Sequence, residues 1–395
     1  MSIFQSKKKY QALTGNGAAA EAIRQINPDV VAAYPITPQT EIVENFAQFV
    51  ADGKVSTEFI RVESEHSALS AAVGASAAGA RTMTATSSQG LALMHEILFV
   101  ASGLRLPIVM PVVNRALSAP INIHCDHSDS MAERDSGWIQ IYCENAQEVY
   151  DNTLIALKLA EDKEILLPAM ICQDGFIISH AVANVLTLKD QEARKFIGEY
   201  KPENPLLNIS NPITIGPLCL TDSYFEVKYQ QIEAMSRVFK TFKKINQEFK
   251  KLTGRKYNFF EEYKMNGAEK AIIVLGSTAG TAKAAVDELR KKGEKIGLIK
   301  LRLFRPFPEK EIIQALKNVQ AIAVLDRAVS FGAYGPVFIE IRSALQNFKK
   351  KKIKISNYIY GLGGRDITVG DIKKVFEDLE RGKNKERLNF IGLKK

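Results

Sequence analysis

Between residues 14 and 175, short apolar runs alternate with Ala-rich stretches whose apolar positions recur every three or four residues. That rhythm suits strands of a mostly parallel sheet covered by helices. It predicts strands over 30–33, 60–62, 82–85, 108–112, 139–142 and 169–173. Helices are predicted between them over 18–25, 41–52, 65–78, 91–103 and 146–161. Such a sheet binds its ligand beyond the carboxyl ends of its strands, so the loops that follow the strands are where chemistry is sought.

Further along, Pro202, Pro205, Pro212 and Pro217 stand among Asn and Gly, which disfavours regular structure and predicts an ordered connector over 196–217. Residues 222–252 then read as a long Lys-rich amphipathic helix. Its stripe of Phe225, Ile232, Met235, Phe239, Phe242 and Phe249 is expected to pack inside the protein, bridging two domains. An α/β pattern restarts after it, with strands over 270–275, 296–301, 321–325 and 353–360 and helices over 281–292, 309–317 and 336–346. The resulting division is 1–221, a bridging helix and linker over 222–264, and a smaller α/β domain with its own core over 265–395. The turn at 275–280, LGSTAG, lacks both G-x-G-x-x-G and the Lys-Ser/Thr of a phosphate loop.

Composition narrows the class. At 46% hydrophobic and 25% charged over 395 residues, the chain is an ordinary globular one. No run of about 18 apolar residues offers a bilayer span, and the N-terminus turns polar too early for a signal peptide, which predicts a cytoplasmic protein with no membrane partner. Cys125, Cys143, Cys172 and Cys219 are scattered singly, so any iron–sulfur cluster is expected on another chain and each thiol is expected to be a small buried hydrophobe. The net charge of +9 hides a polarity: residues 1–225 carry 16 basic against 25 acidic side chains, and residues 226–395 carry 37 against 19. The basic half suits an acidic subunit or an anionic cofactor. It has no aromatic stacking signature for nucleic acid. The run Lys349 to Lys352 reads as a solvated surface before a strand.

Four post-strand loops carry candidate chemistry: Tyr34-Pro35-Ile36-Thr37-Pro38, Glu63-Ser64-Glu65-His66, Thr86-Ser87-Ser88-Gln89-Gly90 and Asn114-Arg115-Ala116. On one rim they would gather a hydroxyl, a carboxylate, an amide and a guanidinium, a set suited to an anionic substrate and a heteroaromatic cofactor. Each has a plainer reading. Thr37 caps a helix or binds a ligand; Glu65 serves a helix dipole or a site; Arg115 makes a surface ion pair or meets an anion. The tract His124-Cys125-Asp126-His127-Ser128-Asp129-Ser130 is expected to be a hydrogen-bonded loop, with a divalent-metal site as the alternative. No G-x-S-x-G elbow supports a serine hydrolase.

Taken together, YPITPQTEIVE, ESEHSA, TATSSQGL, NRALSAP with DHSDSM, and GLGGRDIT resemble, in order and spacing, the alpha subunits of pyruvate:ferredoxin oxidoreductases (pyruvate synthases) among thiamine-diphosphate-dependent 2-oxoacid:ferredoxin oxidoreductases. The resemblance implies a transketolase-like pyrimidine-binding domain followed by a transketolase C-terminal-like domain. It implies thiamine diphosphate shared with a beta subunit that holds the diphosphate and Mg²⁺, [4Fe-4S] clusters on partner chains including a ferredoxin-like delta subunit, a gamma subunit, external ferredoxin, and coenzyme A as co-substrate. This chain holds no metal in that scheme. By position, Glu65 matches the glutamate that hydrogen-bonds the cofactor's aminopyrimidine ring, Thr37 a hydrogen-bond donor to substrate, and Arg115 the partner of the 2-oxoacid carboxylate. Pro35, Ile36 and Gln89 are expected to line the cofactor pocket. The implied reaction is reversible oxidative decarboxylation of pyruvate to acetyl-CoA and CO₂. The alternatives are the same chemistry on 2-oxoisovalerate or oxalate, and a noncatalytic scaffold subunit.

Overall fold

The computed structural model describes residues 9–346, 353–381 and 388–394; the basic run Lys349 to Lys352 lies outside them. In chain order the strands are β1 (Lys9–Leu13), β2 (Val30–Ala33), β3 (Glu58–Arg61), β4 (Thr82–Met83), β5 (Val109–Asn114), β6 (Ile139–Tyr142), β7 (Ala169–Asp174), β8 (Ala183–Thr187), β9 (Phe260–Tyr263), β10 (Lys270–Val274), β11 (Ile296–Leu301), β12 (Leu303–Arg305), β13 (Ala321–Asp326), β14 (Lys354–Ile359) and β15 (Leu388–Phe390). The helices are α1 (Gly15–Ile26), α2 (Thr40–Ala51), α3 (Glu65–Ala78), α4 (Ser88–Leu93), α5 (His95–Gly103), α6 (Ser128–Ala132), α7 (Ala146–Ala160), α8 (Asp190–Ile197), α9 (Tyr224–Thr253), α10 (Thr278–Lys291), α11 (Glu309–Ala315), α12 (Pro336–Gln346) and α13 (Val369–Arg381).

The first sheet runs β12-β6-β7-β5-β4-β2-β3, parallel except for β12 at its edge. The second runs β15-β14-β13-β10-β11-β9, parallel except for β9. The fold class is therefore the expected α/β one with two mostly parallel sheets. Strands β5 and β7 are buried at every residue, which explains why they read as continuous apolar runs rather than alternating ones. Helix α3 shows how local chemistry sets the frame. The Ser64 hydroxyl accepts the Ser67 N–H at 3.2 Å to start it, Gly79 at φ 107° ends it, and buried Ala68 and Ala72 contribute small side chains to the core.

Three expectations change. The helix predicted over 91–103 is two helices, α4 and α5, meeting at Met94, whose N–H is shared between the carbonyls of Gly90 and Leu91. The stripe on α9 is buried only in its second half: Phe242 and Phe249 are inside, packed on Phe259 and Phe196, whereas Phe225 is 74% and Ile232 60% exposed. Nor does the second sheet have a wholly separate core. Ile273, Ile299, Ile322 and Val324 join the core of the first sheet, while alternate residues Ile272, Val274, Leu298 and Ala323 form a second cluster with α10 and α13. Strand β12, from the last third of the chain, pairs with β6 and forms an edge of the first sheet. Cys125, Cys143 and Cys172 are buried as expected, and Cys219 is half-buried.

The turn at the head of α10 also finds an occupant within the chain. The Ser277 N–H and Oγ both donate to Asp174 Oδ2, so a carboxylate of β7 takes the place a phosphate would occupy. The same carboxylate binds His127 Nε2 at 2.8 Å and Arg327 Nη1 at 2.9 Å. Burial alone would raise the pKa of Asp174, but His127 and Arg327 hold it well below the usual carboxylate range.

Candidate functional site

Strands β5, β4, β2 and β3 are neighbours and parallel, so the loops after them emerge on one rim. Strand β2 lies between β3 and β4; the chain reverses its winding there, which opens a crevice between the loops.

Glu65 opens α3 directly after β3 and is 7% exposed. Its carboxylate makes no hydrogen bond or ion pair among the described residues. Beside it lies Gly90: a Cβ built there would sit 2.7 Å from Glu65 Oε1 and 2.5 Å from Thr86 Oγ1. The glycine is thus what lets the acid lie against the start of α4. The hydroxyls of Thr86 and Ser87 at this turn are buried and unpartnered as well. A mostly buried glutamate whose carboxylate lacks an intrachain partner among the described residues is the kind of group a ligand completes.

Arg115 follows β5 and is 8% exposed. No carboxylate lies within ion-pair distance of its guanidinium among the described residues, which removes the surface ion pair as its explanation. Its Nη1 donates to the Thr37 carbonyl at 2.8 Å and its Nε to the Asn122 carbonyl at 3.1 Å. Nη2 makes no hydrogen bond among the described residues. A buried cation satisfied only by carbonyls suits an incoming anion.

Thr37 is exposed and caps nothing, because α2 starts at Thr40 with Gln39 as its preceding residue. Gln39 instead braces the loop, accepting the Ile36 N–H at 3.2 Å and donating to the Ala85 carbonyl at 3.0 Å. Asn16 donates to the Pro38 carbonyl at 2.8 Å. These contacts hold Pro35, Ile36 and Thr37 over the end of the neighbouring strand. Gln89 is half-buried, its Oε1 2.7 Å from Ser88 Oγ. Thr37 and Arg115 are in direct contact, and Glu65 lies against Gly90, the residue after Gln89.

The tract from His124 to Ser130 is a hydrogen-bonded loop ending in α6. Asp126 accepts the N–H groups of Ser128 at 2.9 Å and Gly363 at 3.2 Å, which ties the loop to the Gly361-Leu362-Gly363-Gly364 turn. Ligand atoms of Cys125, His127 and Asp174 do lie within 4.8 Å of one another. Asp174, however, is already bound by Arg327 and Ser277. Sequence reasoning did not single out Gln39 or Asn16 and weighed Asp129 only within the His124 to Ser130 tract, as a candidate metal ligand; the Asp129 carboxylate instead accepts N–H groups from both the Ser88 and the Arg115 loops.

Comparison with known proteins gives the chain a family. The family described as pyruvate flavodoxin/ferredoxin oxidoreductase, thiamine diphosphate-binding, matches residues 21–247, and pyruvate:ferredoxin oxidoreductase core domain II matches 268–372. The pyruvate synthase subunit PorA of Thermotoga maritima is 58% identical over 94% of each chain. That of Methanocaldococcus jannaschii is 50% identical over 97% of this chain and 98% of its own. The ketoisovalerate oxidoreductase subunit VorA of Pyrococcus abyssi is 45% identical over 98% of both. Among solved structures, the 2-oxoglutarate:ferredoxin oxidoreductase of Magnetococcus marinus shares the fold with a TM-score of 0.74 at 20% identity, covering 96% of this chain, which spans 66% of that one. A split-gene transketolase matches with a TM-score of 0.55 at 11% identity, over 93% of this chain and 98% of its own. No helix among the described residues is long and apolar enough to cross a membrane. This chain belongs to the pyruvate flavodoxin/ferredoxin oxidoreductase family.

Proposed function

We propose that this chain is the alpha subunit of a cytoplasmic pyruvate synthase, carrying the pyrimidine side of a thiamine diphosphate site that a beta subunit completes. The observation that carries the reading is the presence on one rim of a buried glutamate, Glu65, and a buried arginine, Arg115, neither of which has a partner of opposite charge among the described residues. The same arrangement disfavours a scaffold role, since an unused site would gain stability by replacing both groups with apolar ones. The beta subunit would hold the diphosphate and Mg²⁺; gamma and delta subunits, [4Fe-4S] clusters on partner chains, coenzyme A and external ferredoxin complete the reaction.

The residues present fit the cofactor's ring. An aminopyrimidine asks for a carboxylate at its ring nitrogen with no competing partner, and Gly90 leaves room for one. When bound, the cofactor supplies the nucleophilic carbon that attacks a 2-oxoacid. Glu65 holds and returns a proton at the pyrimidine nitrogen. Its place at the first turn of α3 aims the helix dipole at the negative charge. Arg115 Nη2 takes the carboxylate of the 2-oxoacid, and the Thr37 hydroxyl, which makes no hydrogen bond among the described residues, donates to its carbonyl side. The loop bearing Pro35 and Ile36 keeps water from that edge of the pocket.

Gly90→Ala tests the cradle. Its Cβ would press on Glu65 and Thr86 below 3.0 Å, so something must shift. A misplacement near 1 Å is expected to lower the turnover of the assembled complex about 10²-fold, with assembly unchanged on a sizing column. Wild-type turnover would mean that Glu65 is not held there for catalysis.

The similarity to a ketoisovalerate oxidoreductase subunit supports a branched 2-oxoacid as the second reading. Ferredoxin reduction by the purified complex, with coenzyme A and each 2-oxoacid in turn, separates them. We expect the highest kcat/KM with pyruvate and no activity from this chain alone; preference for 2-oxoisovalerate would overturn the substrate assignment.

A further inference from the structure

One charged group at the site is absorbed by none of the chemistry above. Asp129 is 1% exposed and has no cation partner among the described residues, yet its two oxygens receive four N–H donors. Oδ2 accepts the backbone N–H groups of Ser88 and Arg115, each at 3.0 Å. Oδ1 accepts Asn114 Nδ2 at 2.8 Å and the Ser130 N–H at 2.7 Å. The donors come from three separate stretches: the turn after β4, the end of β5, and α6.

Two of those stretches carry the site. Ser88 has a left-handed backbone, φ 47°, which a serine adopts only when its surroundings impose it. The Asp129 bond to its N–H and the Ser88 Oγ bond to the Ala116 carbonyl, at 2.7 Å, are what impose it. Two residues on, Gly90 lies against Glu65. On the other arm, the Arg115 main chain is fixed by the same oxygen, Oδ2, while its guanidinium reaches the Thr37 carbonyl.

We propose that Asp129 is a positioning residue: one buried carboxylate locks the Arg115 main chain and the Ser88 to Gly90 turn in register, so that the guanidinium and Glu65 face the same reacting centre. The claim rests on the reading of Arg115 as the group that takes the 2-oxoacid carboxylate. Asp129 itself touches neither substrate nor cofactor. An aspartate is needed because only a carboxylate offers two acceptor oxygens and no donor. Asparagine in the same place would turn an NH₂ against two N–H groups. Burial pushes Asp129 up to about 6 even with four donors, which marks how much desolvation those bonds offset.

The test is a double-mutant cycle on the assembled complex, with KM and kcat for pyruvate measured for wild type, D129N, R115M and D129N/R115M. If Asp129 acts through Arg115, D129N raises KM at least tenfold in the wild-type background and less than twofold in the R115M background. Amide exchange at Ser88 and Arg115 should quicken in D129N while that of Val112 stays protected. Unchanged KM in D129N, or KM effects that multiply in the double variant, would overturn the proposal while the assignment of Arg115 stands. A wild-type KM in R115M would instead bring down that assignment, and the proposal with it. Should D129N not assemble, D129S leaves space for water at the four donors and is expected to show the same coupling. If neither variant assembles while R115M does, Asp129 is a folding residue and the proposal fails.

Discussion

Replacing Glu65 with Gln is expected to lower the turnover of the assembled complex by about 10²- to 10⁴-fold, the range that a positioned proton-transfer group contributes. The amide has the shape of the acid but cannot take up or release a proton at neutral pH, so packing against Gly90 is retained and the chemistry is not. Because Glu65 has no hydrogen-bond partner among the described residues, the substitution breaks no intrachain bond. Complex assembly and thermal midpoint should therefore match wild type, and a variant that assembled poorly would point to a structural role instead. The loss should fall on kcat more than on the KM for pyruvate, since Arg115 and Thr37 remain in place. Stopped-time assays of ferredoxin reduction at saturating pyruvate check this directly.

The largest expected effect on stability lies away from the site, where α7 meets β11. Glu148 accepts Lys300 Nζ at 2.5 Å and Arg302 Nη2 at 2.7 Å, and its second oxygen accepts the Glu144 N–H at 3.0 Å. All three charged side chains are nearly inaccessible to water. Lys300 has further partners in Glu144 and Glu261, but Glu148 is the one carboxylate recorded within reach of Arg302 among the described residues. Glu148→Ala would leave a buried guanidinium without its counter-charge, and the expected loss is about 3–5 kcal/mol. The double change E148L/R302M should cost much less, because an apolar pair removes the desolvation penalty together with the attraction.

The pH dependence of stability gives a second route to the same number. Burial alone would raise Glu148, but Arg302 and Lys300 hold it down to about 2, below its ordinary 4.5. A carboxylate with a depressed folded-state pKa contributes stability that is present above about 4.5 and lost as pH falls through about 2, on the order of 3 kcal/mol here. Urea midpoints of wild type and E148A should therefore converge as pH drops across that window. A gap that stayed constant would show that the loss comes from packing rather than from charge.

How much of this was legible beforehand follows from how local each signal is. Helix α3 was readable because its cap, its Ala-rich body and its closing glycine are contiguous from Ser64 to Gly79. Strands β5 and β7 were readable because strands buried on both faces are apolar throughout. Helix α13 was missed although its signal is local: Thr368 and Asp371 exchange N–H bonds with each other's side chains at its start. Other features have no local signal. Strands β1 and β8 pair across 170 residues or more, and β12 is three residues long and pairs with the first sheet. The exposure of Phe225 and Ile232 depends on where neighbouring elements stop, which a helical stripe does not reveal.

The site divides in the same way. Thr37, Glu65, Gln89 and Arg115 could be picked out as candidates because each follows a strand that could be recognised, and parallel strands deliver such loops to one rim. Asp129 was weighed only as one residue of the His124 to Ser130 tract, because its donors on Ser88, Asn114, Arg115 and Ser130 converge only in space. The motif that contains it was visible, but spacing along the chain says nothing about four donors from three stretches. Gln39 was hidden for a similar reason, since its brace to Ala85 crosses from one loop to the neighbouring strand.

The proposed chemistry depends above all on where the Glu65 carboxylate points once the neighbouring subunit is in place. A structure of the intact complex with thiamine diphosphate bound measures that directly. It should show a Glu65 oxygen about 2.6–3.0 Å from a nitrogen of the aminopyrimidine ring, with Gly90 in contact with the acid. A ring bound elsewhere, or Glu65 paired with a side chain of the partner and turned away from the cofactor, would contradict it.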